Sequence, residues 1–281
     1  MFTIGVIGSG TMGNGIAHVF ALHGHKVVLH DTDRDAISRA ISSIKTNLLR
    51  QLKAEKINDN QMESCLDNIS TSDDLNGLIQ ADLVIEAATE NFNIKSKIFQ
   101  SLDKVCSSDT ILATNTSSIS INKIASTTDR AEKVIGMHFM NPVPVMKLVE
   151  VINGDKTTNE TTEFVVDISK EIGKIPIECN DSPGFVSNRI LMPMINEAAF
   201  CFMEGVATAD GIDEIMKLGM GHPMGPLKLA DLIGIDVCLY IIEVLHNDFA
   251  DNKYKPCPIL KEMVQKGNLG CKSGKGFYSY E

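Results

Sequence analysis

Thr3-Ile4-Gly5-Val6-Ile7-Gly8-Ser9-Gly10-Thr11-Met12-Gly13-Asn14-Gly15 carries the strongest structural signal in this chain of 281 residues. A short β-branched run at 3–7 passes directly into glycines, which predicts a buried strand ending in a tight turn. Ile16 to His23 is helix-compatible and stops at Gly24, after which Lys26-Val27-Val28-Leu29-His30-Asp31 reads as a second strand. Strand, helix and strand fit within about thirty residues, the size of one right-handed βαβ unit with parallel strands.

Gly8, Gly10 and Gly13 form a G-x-G-x-x-G pattern. Alone it is weak evidence, but it follows a strand, opens a helix and precedes an acidic residue at the end of the next strand, which is the context of a dinucleotide site. Gly8 permits the tight turn, Gly10 lets the backbone approach a pyrophosphate, and Gly13 lets helix and strand pack closely, with the helix N-terminus facing the anion. Asp31, eighteen residues after Gly13, is placed to accept hydrogen bonds from adenosine ribose hydroxyls. A 2′-phosphate would meet like charge there, so NAD is expected over NADP, although Arg34 is a nearby cation that works against this preference.

Outward from this unit, residues 33–56 read as a helix with Ile37, Ile41, Ile44, Leu48 and Leu52 at spacings of three and four. Apolar runs at 81–88, 110–114, 133–139 and 148–152 alternate with helix-compatible segments such as 92–104 and 157–172. This alternation predicts an α/β fold with a doubly wound parallel sheet, Rossmann-like, over residues 1–183. The pattern changes at Asp181-Ser182-Pro183-Gly184, and residues 184–281 are expected to form a smaller all-α domain.

With 26 Lys+Arg against 36 Asp+Glu the formal charge is −10, which argues against a general nucleic-acid binder. A hydrophobic fraction of 43% supports a sizeable core and excludes a disordered chain. No apolar run reaches the ~18 residues of a membrane span, and the first residues lack a basic n-region and a small-residue cleavage site. A cytoplasmic protein without a membrane partner is therefore expected. The seven cysteines are scattered without a C-x-x-C pair, so neither a disulfide framework nor a metal site is expected.

Asn115-Thr116-Ser117-Ser118 follows one apolar run, and His138-Phe139-Met140-Asn141-Pro142 begins near the end of another. Ligands of open parallel sheets sit outside the carboxyl ends of the strands, so both segments are expected at one crevice. His138 is the candidate general base, because an imidazole accepts and returns a proton near neutrality. Glu150 is a charge within the apolar run Leu148-Val149-Glu150-Val151-Ile152, and pairing with His138 removes the cost of burying it alone. Ser117 reads equally well as a catalytic hydroxyl or as a cap or turn residue.

Gly8-Ser9-Gly10-Thr11-Met12-Gly13, Asn115-Thr116-Ser117-Ser118, His138-Phe139-Met140-Asn141-Pro142 and Ser182-Pro183-Gly184-Phe185-Val186 with Asn188-Arg189 resemble the 3-hydroxyacyl-CoA dehydrogenase family. The resemblance runs in order along nearly the whole chain and includes Gly221-His222-Pro223-Met224-Gly225-Pro226 and Lys272-Ser273-Gly274-Lys275-Gly276-Phe277-Tyr278. It implies NAD-dependent hydride transfer at C3 of a 3-hydroxyacyl thioester, with (S)-3-hydroxybutyryl-CoA and acetoacetyl-CoA as the expected pair. It also implies His138 as catalytic base, Glu150 as its partner, and Ser117 and Asn188 at the reacting oxygen. Cofactor contacts are implied for the turn residues 8–13, Asp31, Glu90, Lys95, Asn115, Ser117, Asn141 and Lys275. Lys45, Arg50, Lys53 and Lys56 form a basic strip where the family binds coenzyme A, with Arg50, Lys53 and Lys56 the implied contacts; Ala54 departs from the lysine expected there. A homodimer or dimer of dimers through the C-terminal domain is implied as well. The rival readings are a non-enzymatic nucleotide-binding sensor or a crystallin-like structural protein, against which the joint presence of Ser117, His138, Glu150 and Asn188 argues.

Overall fold

The computed structural model describes residues 1–280. The chain divides into two compact units, Met1–Asp181 and a second that starts at Ser182. Along the first lie β1 (Thr3–Ile7), α1 (Thr11–Leu22), β2 (Lys26–His30), α2 (Arg34–Lys53), α3 (Asp59–Asp67), β3 (Ile69–Ser72), β4 (Leu83–Glu86), α4 (Phe92–Val105), β5 (Ile111–Thr114), α5 (Ile121–Ala125), β6 (Val134–Phe139), β7 (Leu148–Asn153), α6 (Asn159–Glu171) and β8 (Ile175–Asn180). They build one eight-stranded sheet in the order β3-β2-β1-β4-β5-β6-β7-β8. Chain order reverses between β1 and β4, which makes this the switch point of a Rossmann-like, doubly wound sheet.

The strands from β3 to β6 are parallel, whereas β7 runs antiparallel to β6 and β8 follows β7 in parallel. The doubly wound sheet is thus mostly parallel, as expected, with one antiparallel junction. The reason is local: residues 140–147 are too few for the helical crossover that a parallel partner of β6 needs. Reversal sets His138 of β6 directly opposite Glu150 of β7, and directly opposed residues of an antiparallel pair share one face of the sheet.

Ile4, Val6, Phe20, Leu29, Ile44 and Leu83 are fully buried between the sheet and its helices, each contributing about 1.5–3 kcal/mol by the area it removes from water. On α2 the buried residues are Ile37, Ala40, Ile44 and Leu48, one stripe at helical spacing that leaves the basic residues outside.

The second unit contains α7 (Ser187–Met203), α8 (Ala209–Met220), α9 (Pro226–Ile233), α10 (Ile235–Phe249) and α11 (Pro258–Gln265). Pro226 and Pro258 open their helices where the missing N–H costs nothing. Met192, Ile195, Ile235, Cys238, Ile242 and Leu245 form its core. Two buried carboxylates tie the C-terminal tail down: Asp231 accepts from the N–H groups of Phe277 and Tyr278 and the Tyr280 hydroxyl, and Asp213 accepts from the Tyr278 hydroxyl.

Candidate active site

The turn between β1 and α1 is built so that side chains are excluded. Gly8 has φ +92°, and a Cβ there would lie 2.6 Å from the Ala87 carbonyl oxygen. A Cβ on Gly13 would meet the Gly8 carbonyl oxygen at 1.7 Å, so only glycine permits this approach of helix to turn. Gly10 differs: its Cβ position has nothing within 4 Å. Its bare surface opens the helix without a side-chain cap, leaving first-turn N–H groups to face an anion.

Asp31, just past β2, accepts from the Ser9 N–H and the Ser9 hydroxyl, both at 2.8 Å, and from the Asp33 N–H at 3.0 Å. Burial alone would raise its carboxyl, but these bonds outweigh burial and hold it below the usual carboxylate range. Arg34 is engaged by Asp73. A cavity of about 890 Å³ opens here, lined by Gly8, Gly10, Asp31, Ala36, Ile94 and Ile98 among others. Side-chain-free backbone, unused helix donors, a fixed carboxylate and an apolar slot together fit a dinucleotide.

The second cluster lies at the ends of β5 and β6. His138 Nδ1 is 2.8 Å from Glu150 Oε2, and His138 Nε2 is 3.0 Å from Ser117 Oγ. His138 and Glu150 are both buried. An ionised carboxylate only accepts, so Nδ1 carries the proton and Nε2 is left as the acceptor, here of the Ser117 hydroxyl. Asn115 Oδ1 accepts the Phe139 N–H at 2.8 Å, tying the two strand ends together. Beyond His138, Lys174 reaches from its buried position to the carbonyls of Val143 and Met146 and anchors the loop that follows β6; burial lowers its pKa.

Glu90 lies in the same cluster, where its Oε1 accepts from the Thr116 hydroxyl, the N–H groups of Ser117 and Ser118 and the Ser118 hydroxyl at 2.6–3.0 Å. Lys95 is 2% exposed, with Nζ 2.8 and 2.7 Å from the two carboxylate oxygens of Glu86. Glu86 is outside every segment the sequence marks for the site, and Thr116, within the Asn115–Ser118 segment, carries no expected role of its own. The signal that marks Glu150, a charge in an apolar run, was equally present in Leu83-Val84-Ile85-Glu86.

Ser9 and Gly13 are buried, Met12 is half-buried, and Gly10 and Thr11 are exposed; Asn141 is exposed in the loop after β6. In the second unit Asn188 is buried in the first turn of α7, and Lys275 is exposed in the tail. Lys45, Arg50, Lys53 and Lys56 are exposed at the end of α2 and just beyond it. Among the described residues no helix is long and apolar enough to cross a membrane.

Residues 3–182 match the family model described as 3-hydroxyacyl-CoA dehydrogenase, NAD binding domain, and residues 184–280 match that of its C-terminal domain. A probable 3-hydroxybutyryl-CoA dehydrogenase of Bacillus subtilis (strain 168) is 51% identical over 276 residues, 98% of this chain and 96% of the relative. A 3-hydroxybutyryl-CoA dehydrogenase of Clostridioides difficile is 50% identical over 277 residues, 99% of each. The crystal structure of an (S)-3-hydroxybutyryl-CoA dehydrogenase from Ralstonia eutropha superposes with a TM-score of 0.97 at 48% identity, covering 100% of this chain and 99% of that one.

Proposed function

The chain belongs to the 3-hydroxyacyl-CoA dehydrogenase family and is an NAD-dependent oxidoreductase, and from that premise we propose that it interconverts (S)-3-hydroxybutyryl-CoA and acetoacetyl-CoA with His138 as general base and acid. The observation that carries this reading is the His138 imidazole held between the Glu150 carboxylate and the Ser117 hydroxyl. NAD, when bound, supplies the hydride chemistry. His138 Nε2 takes the proton of the 3-hydroxyl during oxidation and returns it during reduction. Glu150 keeps the proton on Nδ1 and stabilises the imidazolium that forms. Ser117 donates its hydroxyl to the oxygen at C3, a role that Asn188 shares.

The glycine turn from Gly8 to Gly13, with Ser9, Thr11 and Met12, and Asp31 hold the adenosine and pyrophosphate portion of the cofactor. Glu90, Lys95, Asn115, Asn141 and Lys275 are assigned to the rest of that site on the family resemblance. Arg50, Lys53 and Lys56 attract the phosphates of coenzyme A. They stand exposed on a chain of net charge −10, so the attraction is local and screened by salt.

The second unit presents Ile190, Val206, Ile215, Leu218, Met220 and Leu232 to solvent, Leu218 at 82% exposure. We assign these apolar side chains to contact with a second copy of the chain, giving a homodimer or a dimer of dimers. Seven free thiols match a reducing compartment, and the protein is assigned to the cytoplasm.

The test follows the loss of reduced-nicotinamide absorbance with acetoacetyl-CoA, comparing NADH with NADPH and using free acetoacetate as a control substrate. Rapid NADH oxidation with the thioester alone is expected. Equal rates with free acetoacetate would contradict the coenzyme A assignment, and a preference for NADPH would contradict the role of Asp31.

A further inference from the structure

Glu86 and Lys95 are the most deeply buried opposite charges of the first unit, 0% and 2% exposed, and nothing in the proposed chemistry uses Glu86. The Glu86 carboxylate at the end of β4 is fully engaged. It accepts from Lys95 of α4 through both oxygens, from the Ala88 N–H at 2.8 Å and from the Thr114 hydroxyl at the end of β5 at 2.8 Å. It therefore clamps three elements at the carboxyl edge of the sheet. Buried ion pairs are poor sources of stability, since desolvation offsets much of their attraction.

The geometry continues outward. Lys95 Nζ is also 3.8 Å from Glu90 Oε2. The other Glu90 oxygen gathers the loop 116–118 through four donors, two of them backbone N–H groups. That loop carries Ser117, whose hydroxyl lies 3.0 Å from His138 Nε2. A continuous line of contacts thus runs from Glu86 through Lys95, Glu90 and Ser117 to His138, opposite the side on which Glu150 holds the ring.

We propose that Glu86 is a positioning residue, which acts through Lys95 and Glu90 to fix the Ser117 hydroxyl against His138. The inference rests on the proposed roles of Ser117 and His138. It gives Glu90 and Lys95 a task additional to cofactor contact: Lys95, nearly inaccessible and bonded to Glu86, orients a carboxylate, and that carboxylate orients a loop. Displacement of Ser117 by about 1 Å is enough to cost much of the rate in a site that works by orientation.

The test is a double-mutant cycle. Glu86→Gln and Glu90→Gln are made alone and on Ser117→Ala, and kcat with acetoacetyl-CoA is measured beside the NADH dissociation constant from fluorescence. Each single variant is expected to lower kcat by at least about tenfold and to add less than about threefold when Ser117 is already Ala, and Glu86→Gln, which touches no cofactor, to keep NADH affinity within about threefold of wild type. The same fold-loss in both backgrounds, or a loss confined to NADH affinity, would overturn the proposal. Glu90, with 31% of its side chain exposed, supplies the cycle if Glu86→Gln fails to fold. Hydrogen exchange of the cofactor-free protein gives a readout independent of any reaction. Glu86→Gln or Glu90→Gln should speed exchange at the Ser117 and Ser118 amides by at least about tenfold while the Ile85 amide in β4 is unchanged. Unaltered exchange at 117 and 118 would overturn the inference. Absence of wild-type turnover would instead contradict the proposed reaction.

Discussion

His18 on α1 is completely buried, with Nε2 3.2 Å from Gln51 Nε2. Burial, helped by the nearby His23 and Lys174, pushes its pKa down to about 4. The folded protein keeps this ring neutral at pH values where the unfolded chain protonates it. Stability is then at its full value above about pH 6.5 and falls as the pH drops towards 4, by about 3 kcal/mol in all from this one group. Urea unfolding at pH 7 and at pH 4.5 checks the sign: wild type should lose stability more steeply than His18→Leu, and equal losses would rule the effect out. His138, Glu150 and Asp31 were legible because each places a titratable group where sequence context alone gives it a task. Glu86 and Thr116 were not, because the Thr114 hydroxyl of β5 that bonds Glu86 and the Glu90 carboxylate that takes the Thr116 hydroxyl are adjacent in space and distant along the chain.

At the scale of the element, the turn between β1 and α1 separates two kinds of glycine. Gly13→Ala forces a Cβ against the Gly8 carbonyl at 1.7 Å and should lower both the melting temperature and NADH affinity. Gly10→Ala meets nothing within 4 Å, at φ −65° and extended ψ. It should leave the melting temperature unchanged and weaken NADH binding by at least about tenfold, since the methyl occupies the surface that a pyrophosphate approaches. Normal NADH binding by Gly10→Ala, measured by fluorescence titration, would show that the turn is not the pyrophosphate cradle. The elements around this turn were legible because two short β-branched runs flank a glycine-opened helix within about thirty residues. β3 and β8 escaped for a physical reason. Ile69-Ser70-Thr71-Ser72 and Ile175-Pro176-Ile177-Glu178-Cys179-Asn180 are the two outermost strands, where polar residues and proline are tolerated and the apolar run that betrays a central strand is missing. The reversal at β7 was written in the shortness of residues 140–147 rather than in any residue type, and it is this reversal that brings Glu150 to His138.

For the whole molecule, the two units carry different burdens. The first holds the glycine turn, Asp31 and the His138 cluster within Met1–Asp181. The second exposes apolar side chains of α7, α8 and α9, with Ile190 at 67% exposure, the side chains proposed to meet a second copy of the chain. Sedimentation at micromolar concentration should return a dimer or a multiple of it, and replacing Leu218 and Ile190 by Glu should shift the equilibrium towards monomer; a wild-type monomer would contradict the assignment of that face. The proposed reaction turns on proton transfer at His138 next to a bound nicotinamide. The measurement that addresses it most directly compares wild type with His138→Gln in acetoacetyl-CoA turnover and, in parallel, in NADH binding. Turnover should fall by at least about 100-fold, the lower end of what positioned acid–base catalysis contributes, with NADH affinity retained. Near-normal turnover by His138→Gln would contradict the account.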